Sequence, residues 1–212
     1  MNLPEKIKTI ENRSEFKFKE KGSLFFAICQ PALNEKESLQ FLSEIKKQYY
    51  DATHHCYSYK FQNSAFKYSD DGEPSGTAGI RIFNAQNHFS VTNLISIVIR
   101  YYGGTKLGVG PLGKAYYDSV FECLKKTTIL EKELYNKIEI TYDFDLSNTV
   151  HHFASKYQLI IVKNDFEKKP KMTCLLRHTI FEMFSKNLLS ASQNKLQIYL
   201  LNEFTYLTSN FI

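Results

Sequence analysis

The segment with the most chemical potential is Arg100–Lys114, RYYGGTKLGVGPLGK. It reads as the end of an apolar strand, a glycine-rich loop and the start of a helix. Glycines let the backbone turn through positive φ and approach a ligand closely. Unpaired amides at a helix start, with the helix dipole behind them, suit an anion. The candidate anion-binding residues are Arg100, Tyr102, Gly103, Gly104, Lys106, Gly108, Gly110 and Lys114. Arg100 is placed to fork onto a phosphate or carboxylate, and Lys106 and Lys114 add full charges. Of Tyr101 and Tyr102, alternation sends one inward and one outward, where it can stack on a base. The spacing is not that of a phosphate-binding loop ending Gly-Lys-Ser/Thr, because Ala115 follows Lys114. Pro111 also removes one N–H. A tight structural connection is the competing reading.

Two further groups form secondary candidates. Asp70, Asp71 and Glu73 stand beside Ser75 and Thr77 in DDGEPSGTAG. They read either as acid/base or metal-binding carboxylates, or as a turn whose carboxylates cap the next helix. His54 and His55 lie on a candidate strand, so at most one of them faces any single site. His54 and Cys56 share a face and could pair as base and nucleophile, but no orienting third residue is evident. His151-His152 read as structural. No metal-ligand spacing appears, and no cofactor is implied.

The net charge of +5 is mildly basic, short of a strongly nucleic-acid-binding balance, but its distribution is uneven. No acidic residue occurs between Glu73 and Asp118, a window holding Arg81, Arg100, Lys106 and Lys114, which implies a locally positive face. Four scattered cysteines, Cys29, Cys56, Cys123 and Cys174, fit reduced thiols. The polar first residues and the lack of a long apolar run argue for a cytoplasmic, soluble protein with no membrane partner.

The elements that must position these residues follow from periodicity. Residues 1–12 read as a loose lead-in. Ser14–Gln30 read as a hairpin broken at Gly22, its second strand more buried. Asn34 with Glu37 opens a helix over 35–49 with Leu39, Leu42 and Ile45 inward. Thr53–Phe61 is a strand, Asp70–Gly76 a tight loop, and Thr77–Gln86 a short helix with Ile80 and Phe83 inward. Leu94–Tyr102 is a buried strand. A helix follows with Gly110 as its cap and Pro111 as its first residue, running to about Lys126 with Leu112, Tyr116, Val120 and Leu124 on one face. Thr127–Asn136 reads as a polar connection between domains spanning 1–130 and 136–205. The second domain reads strand 137–142, helix 146–157, strands 159–165 and 172–178 around a charged turn at Glu167–Lys171, helix 179–189 and strand 195–201. That order is βαββαβ, a ferredoxin-like split unit.

THHCYSY (53–59), SDDGEPSGTAG (69–79) and VIRYYGGTKLGVGPLGKAYYDS (98–119) together resemble the Impact family, in particular its bacterial YigZ-type members. The resemblance covers most of residues 15–125. It implies a two-domain α+β chain of α/β class. The first domain would have the βαβ fold of a small-subunit ribosomal protein domain and of GHMP kinases, and the second would be ferredoxin-like, similar to domain V of elongation factor G. Family members commonly carry Gly-Gly at the position of Gly110-Pro111 and Ser-Arg-Phe at that of Ser23-Leu24-Phe25. The resemblance and the acid-free window together suggest an anion- or RNA-binding protein, with RNA or the ribosome as partner, tied to translation or its regulation. Two alternatives stand beside it: an enzyme acting on a small phosphorylated or carboxylated ligand, and a regulator that works by binding a protein partner in translational control. Spacing alone assembles no nucleophile–base–orienter set, which favours binding over catalysis.

Overall fold

A computed structural model describes residues 3–166 and 168–208. The chain divides into two compact units, Met1–Glu131 and Lys132–Ile212. Glu167, the first residue of the charged turn expected before Lys171, lies outside the described residues.

The first unit is a three-layer sandwich. Its sheet contains β2 (Ser14–Glu20), β3 (Ser23–Pro31), β4 (His54–Lys60), β5 (Phe66–Ser69) and β6 (Leu94–Tyr101), in the order β2-β3-β6-β4-β5. Every neighbouring pair in it is antiparallel. The β2–β3 hairpin turns at Lys21-Gly22, where φ is +44° and +81°. Two consecutive positive φ values are what a two-residue hairpin turn of right-handed strand twist requires. Residues 6–10, expected as a loose lead-in, instead form β1 (Lys6–Ile10), with Ile7 and Ile10 buried and Lys6 paired with Glu131.

Strand alternation sorts the side chains into two cores. On one face Phe26, Ile28, Tyr57, Tyr59, Ile95, Ile97 and Ile99 pack against Leu42 and Ile45 of α1 (Glu35–Gln48). On the other, Phe25, Ala27, Cys29, Cys56 and Val98 pack against α2 (Gly79–His88) and α3 (Val109–Lys125). Each fully buried Leu, Ile or Phe contributes roughly 1.5–3 kcal/mol by leaving water.

The helix starts have separable causes. At α1, the Asn34 side chain accepts from the Glu37 amide at 3.0 Å, and the Glu37 carboxylate accepts from the Leu33 amide at 2.8 Å. This reciprocal capping was legible in the sequence. Leu39, placed inward by spacing, is 39% exposed, so the buried stripe is Ser38, Leu42 and Ile45. α2 begins two residues later than expected and buries Ile82, Ala85 and Gln86, while Ile80 and Phe83 stay half-exposed. α3 begins at Val109, not Pro111, with Gly108 as the cap residue at φ +84°. Leu112, Tyr116, Val120 and Leu124 line its buried face as the spacing predicts.

The supposed connection at 127–136 is mostly strand: β7 runs Ile129–Thr141, and the division between the units falls inside it. After β7 come α4 (Ser147–Lys156), β8 (Ile160–Asp165), β9 (Lys171–Arg177), α5 (Phe181–Ala191) and β10 (Gln197–Thr208). The antiparallel order β10-β7-β9-β8 gives the ferredoxin-like split unit. Its core is Ile138, Ile140, Val150, Cys174, Phe184 and Leu188 with their neighbours.

Candidate functional site

Register decides which candidates meet. In the first unit's sheet, Arg100 of β6 stands opposite His54 of β4 on one side and Phe25 of β3 on the other. Residues paired across a ladder point to the same face. His54, Arg100 and Phe25 therefore all face α2 and α3, the side on which the chain leaves β6 through the glycine loop. His55 points to the α1 side, where its Nε2 lies 2.9 Å from the Tyr49 carbonyl. Its burial there lowers its pKa, chiefly by desolvation. The two adjacent histidines thus serve different layers.

At the end of β6, Arg100 is only 5% exposed, and its guanidinium does not reach outward to an anion. Nη1 donates to Glu73 Oε1 at 2.6 Å, and Nη2 to Ser23 Oγ at 3.3 Å. The guanidinium carbon lies 5.3 Å from the Phe25 ring centre and 5.5 Å from that of Tyr102, so two aromatic faces enclose it. Glu73 Oε1 also accepts from the Tyr116 hydroxyl at 2.7 Å. Burial pushes the Tyr116 hydroxyl pKa up, so it remains a donor. An Arg–Glu pair this buried is neutral overall and expensive to break, because either partner alone is a desolvated charge. The sequence reading of Arg100 as a free phosphate fork is therefore replaced by a structural ion pair that fixes Glu73.

The carboxylates separate by job. Asp70 accepts three backbone amides: Gly76 at 2.9 Å, Ala78 at 2.9 Å and Gly79 at 2.8 Å. It therefore caps the start of α2 from outside the helix. Asp71 accepts from the His55 amide at 2.7 Å and pairs with Lys46 at 2.9 Å. Thr77 donates to the Pro74 carbonyl at 2.6 Å, closing the turn, and Ser75 is exposed. Cys56 donates to the Asp70 carbonyl at 3.0 Å. Fully buried, it has its pKa raised mainly by desolvation. A thiol held in this way gives no thiolate, so the Cys56–His54 nucleophile pair is not formed. Of the acids, only Glu73 belongs to the network that reaches the glycine loop. Among the described residues, no group of three or more His, Cys, Asp or Glu is arranged to hold a metal.

The glycine loop begins at a pinch. A Cβ on Gly103 would lie 1.9 Å from the Gly22 carbonyl carbon, so the hairpin turn and this loop touch backbone to backbone. Gly103 N–H donates to Ser23 Oγ at 3.2 Å, and Tyr102 N–H to Thr53 Oγ1 at 3.0 Å. Beyond that point the loop opens. Among the described residues, the amides of Gly104, Thr105, Lys106, Gly108, Val109 and Gly110 have no hydrogen-bond partner, and all six residues are exposed. Positive φ at Gly104 and Gly108, +84° each, shapes the curve. The first bond of α3 is Leu112 N–H to the Gly108 carbonyl at 3.0 Å. No acid stands in the first turn of α3, and no side chain caps it.

The cations of the acid-free window divide. Lys114 bridges to Asp118 one turn along α3. Arg81 donates to the Gly76 carbonyl at 3.3 Å, and its side chain lies against α3 at the start of the second turn, within 3.2 Å of where a Gly113 Cβ would stand. Lys106 is exposed and has no acidic partner among the described residues. Tyr102 is the outward tyrosine, 45% exposed, while Tyr101 bonds Asp51 at 2.9 Å.

Sequence reasoning missed Ser23. Its hydroxyl joins the hairpin, Arg100 and the first glycine-loop amide. The only signal was its position just after a two-residue turn, which gives no hint of a partner 80 residues away.

Three comparisons place the chain among known proteins. Residues 21–124 match the Impact N-terminal domain. An IMPACT family member from Haemophilus influenzae is 30% identical over 190 residues, spanning 85% of this chain and 90% of that protein. The IMPACT family member YigZ from Escherichia coli is 26% identical over 187 residues, 86% of this chain and 92% of its own length. The crystal structure of a hypothetical protein, 24% identical, superposes with a TM-score of 0.70 over 95% of this chain and 100% of that one, which fixes the fold. With a relative 30% identical that it covers to 90% of its length, and with the Impact N-terminal domain matched over residues 21–124, the chain belongs to the IMPACT family.

Proposed function

We propose that the protein binds a phosphate-bearing ligand at the Gly104–Gly110 loop, and that this ligand is RNA, free or in the ribosome, in support of translation or its regulation. One observation carries this reading: among the described residues, six amides on exposed residues of the loop and helix start Gly104–Gly110 have no internal acceptor, and no acid stands in the first turn of α3. Such a terminus is electropositive, and phosphate oxygens complete it. Lys106 adds an exposed charge beside it, Arg81 lies against Gly113 in the next turn, and the half-exposed Tyr102 ring offers a surface for a base. The second unit, which we propose is similar to elongation factor G domain V, is compatible with a ribosomal partner.

Phosphate contacts of this kind position a backbone without reading sequence. With Arg100 and Lys114 engaged internally, only a few charges are available, so affinity is modest and its salt dependence moderate. Filter binding of a short single-stranded RNA, and co-sedimentation with ribosomes, should both show retention that falls as salt rises. Absence of any salt-sensitive retention in either assay removes the reading. The enzyme alternative keeps one supporting feature, the approach of His54 Nε2 to Glu73 Oε2 at 3.8 Å, but the other acids are consumed as caps and ion pairs.

A further inference from the structure

At the end of the first unit's sheet opposite the glycine loop, three segments meet around a cavity of about 370 Å³. The length of β6 separates the two places, its 8 residues spanning roughly 25 Å. Backbone bonds hold the segments together. Thr92 N–H donates to the Lys8 carbonyl at 2.8 Å, tying β1 to the turn before β6. Asn93 N–H donates to the Lys60 carbonyl at 2.7 Å, and Asn93 Oδ1 accepts from the Gln62 amide at 3.0 Å, tying in the end of β4 and its turn. Every lining residue belongs to the first unit.

The cavity gathers cations and hydroxyls. Lys6, Lys8 and Lys60 line it with Ser64, Ser90 and Thr92, and Glu131 is the one acid among its described lining residues. Three positive charges against one negative leave two. Glu131 is engaged by Lys6 at 2.9 Å. Lys60 is half-buried, and its ammonium has a neutral partner, Asn87 Oδ1 at 2.8 Å. Burial with no carboxylate beside it lowers the Lys60 pKa, and an anion bound there offsets that cost. Ser64 and Ser90 stand at φ +64° and +55°, where glycine is the cheaper residue, yet both positions carry a hydroxyl. Among the described residues, neither hydroxyl has a hydrogen-bond partner. Gln62, whose Oε1 is buried with no partner, also lines the cavity.

We propose that this cavity binds a phosphate group carrying two or more negative charges, either free or as the tail of a nucleotide. Lysines act as point charges and hydroxyls rotate to suit, so the set fits a tetrahedral polyanion better than the planar carboxylate that an arginine fork would match. A second cavity, of about 450 Å³, shares Lys8 and Glu131 with the first and is walled by His88, Phe89 and Ile129. It offers a nucleotide's ring an aromatic and aliphatic wall that a free phosphate leaves unused. The inference is independent of the Gly104–Gly110 reading.

The test is isothermal titration calorimetry of the full chain with sodium pyrophosphate and with ADP, on the wild type, Lys60→Met, Ser90→Gly and Lys106→Met. Lys60→Met removes a charged donor and should weaken binding about 10-fold or more. Ser90→Gly suits the backbone and should weaken it about 5-fold, the worth of one neutral hydrogen bond. Lys106→Met, at the other end of the sheet, should leave affinity unchanged. ADP held more tightly than pyrophosphate assigns the site to a nucleotide, and ADP held no more tightly assigns it to free phosphate. Binding of neither probe overturns the inference. So does binding that Lys106→Met weakens and Lys60→Met and Ser90→Gly do not, which moves the anion to the glycine loop and leaves that reading standing. If Lys60→Met does not fold, Ser90→Gly and Lys8→Met decide.

Discussion

Two glycine-rich loops lead into two neighbouring helices of the first unit, and they treat the helix start in opposite ways. The loop before α2 supplies its own anion: Asp70 reaches from the far side of the turn and takes the amides of Gly76, Ala78 and Gly79. The loop before α3 supplies none, and its amides from Gly104 to Gly110 stand without internal acceptors. Both loops are acid- or base-flanked and dense in glycine, and by composition either qualifies as a ligand loop. The difference lies in whether the chain completes its own helix terminus. A terminus capped by its own carboxylate is structural, whereas one left open, beside cations, is available to an external anion.

The comparison can be broken most severely at the pinch. Gly103→Ala would drive a Cβ into the Gly22 backbone at 1.9–2.2 Å. We expect it to cost more than about 4 kcal/mol, or to prevent folding, as read by urea or thermal denaturation. Gly104→Ala, with nothing within 4 Å of its Cβ but φ at +84°, should cost about 1 kcal/mol. Similar losses at the two positions would contradict the geometry. Next in size, Asp70→Ala strips the cap of α2 and should cost roughly 2 kcal/mol in the same assay, while leaving the salt dependence of RNA binding as it was.

Smaller still in stability, Lys106→Glu should change unfolding free energy by less than about 0.5 kcal/mol. It should nevertheless weaken RNA retention at every salt concentration and reduce the log–log salt slope by about one. The mildest effect is that of pH. Burial holds the His55 pKa below its ordinary 6.5 in the folded state, so below that value the unfolded chain binds more protons than the folded one. The stability that His55 contributes is therefore present above about pH 6.5 and is lost as pH falls through the lowered folded pKa. His55→Gln should flatten this part of the stability–pH curve, measured by denaturation between pH 7.5 and 5, as a ~6.5 reference pKa requires.

Much of the architecture was legible because it is local. The Asn34–Glu37 capping pair, the four-residue spacing of Leu112, Tyr116, Val120 and Leu124 on α3 and the alternation in β3, β4 and β6 are all written within a few residues. The errors have physical causes. α2 was shifted because its first turn is fixed by Asp70, eight or nine residues upstream, and because the polar Gln86 is buried. Gln86 bonds the Ser58 carbonyl at 3.0 Å and Ser96 Oγ at 2.9 Å, a role no hydrophobic pattern records. β7 looked polar because Glu131, Lys132 and Glu133 interrupt its apolar residues. In the site, the loop and its lysines were visible in composition. The commitment of Arg100 to Glu73 was not, since only strand register and the fold of the turn bring residues 23, 73, 100 and 116 together.

The most direct measurement is a two-dimensional NMR titration of the 15N-labelled protein with a short single-stranded RNA at low and at high salt. We expect the amide resonances of Gly104, Thr105, Lys106, Gly108 and Gly110 to move together, saturably, and to move less at high salt. Those of Gly76, Ala78 and Gly79, already held by Asp70, should stay in place. Shifts confined to the α2 loop or to the second unit, or no shift at Gly104–Gly110 at any RNA concentration, would contradict the assignment of the open helix start as the anion site.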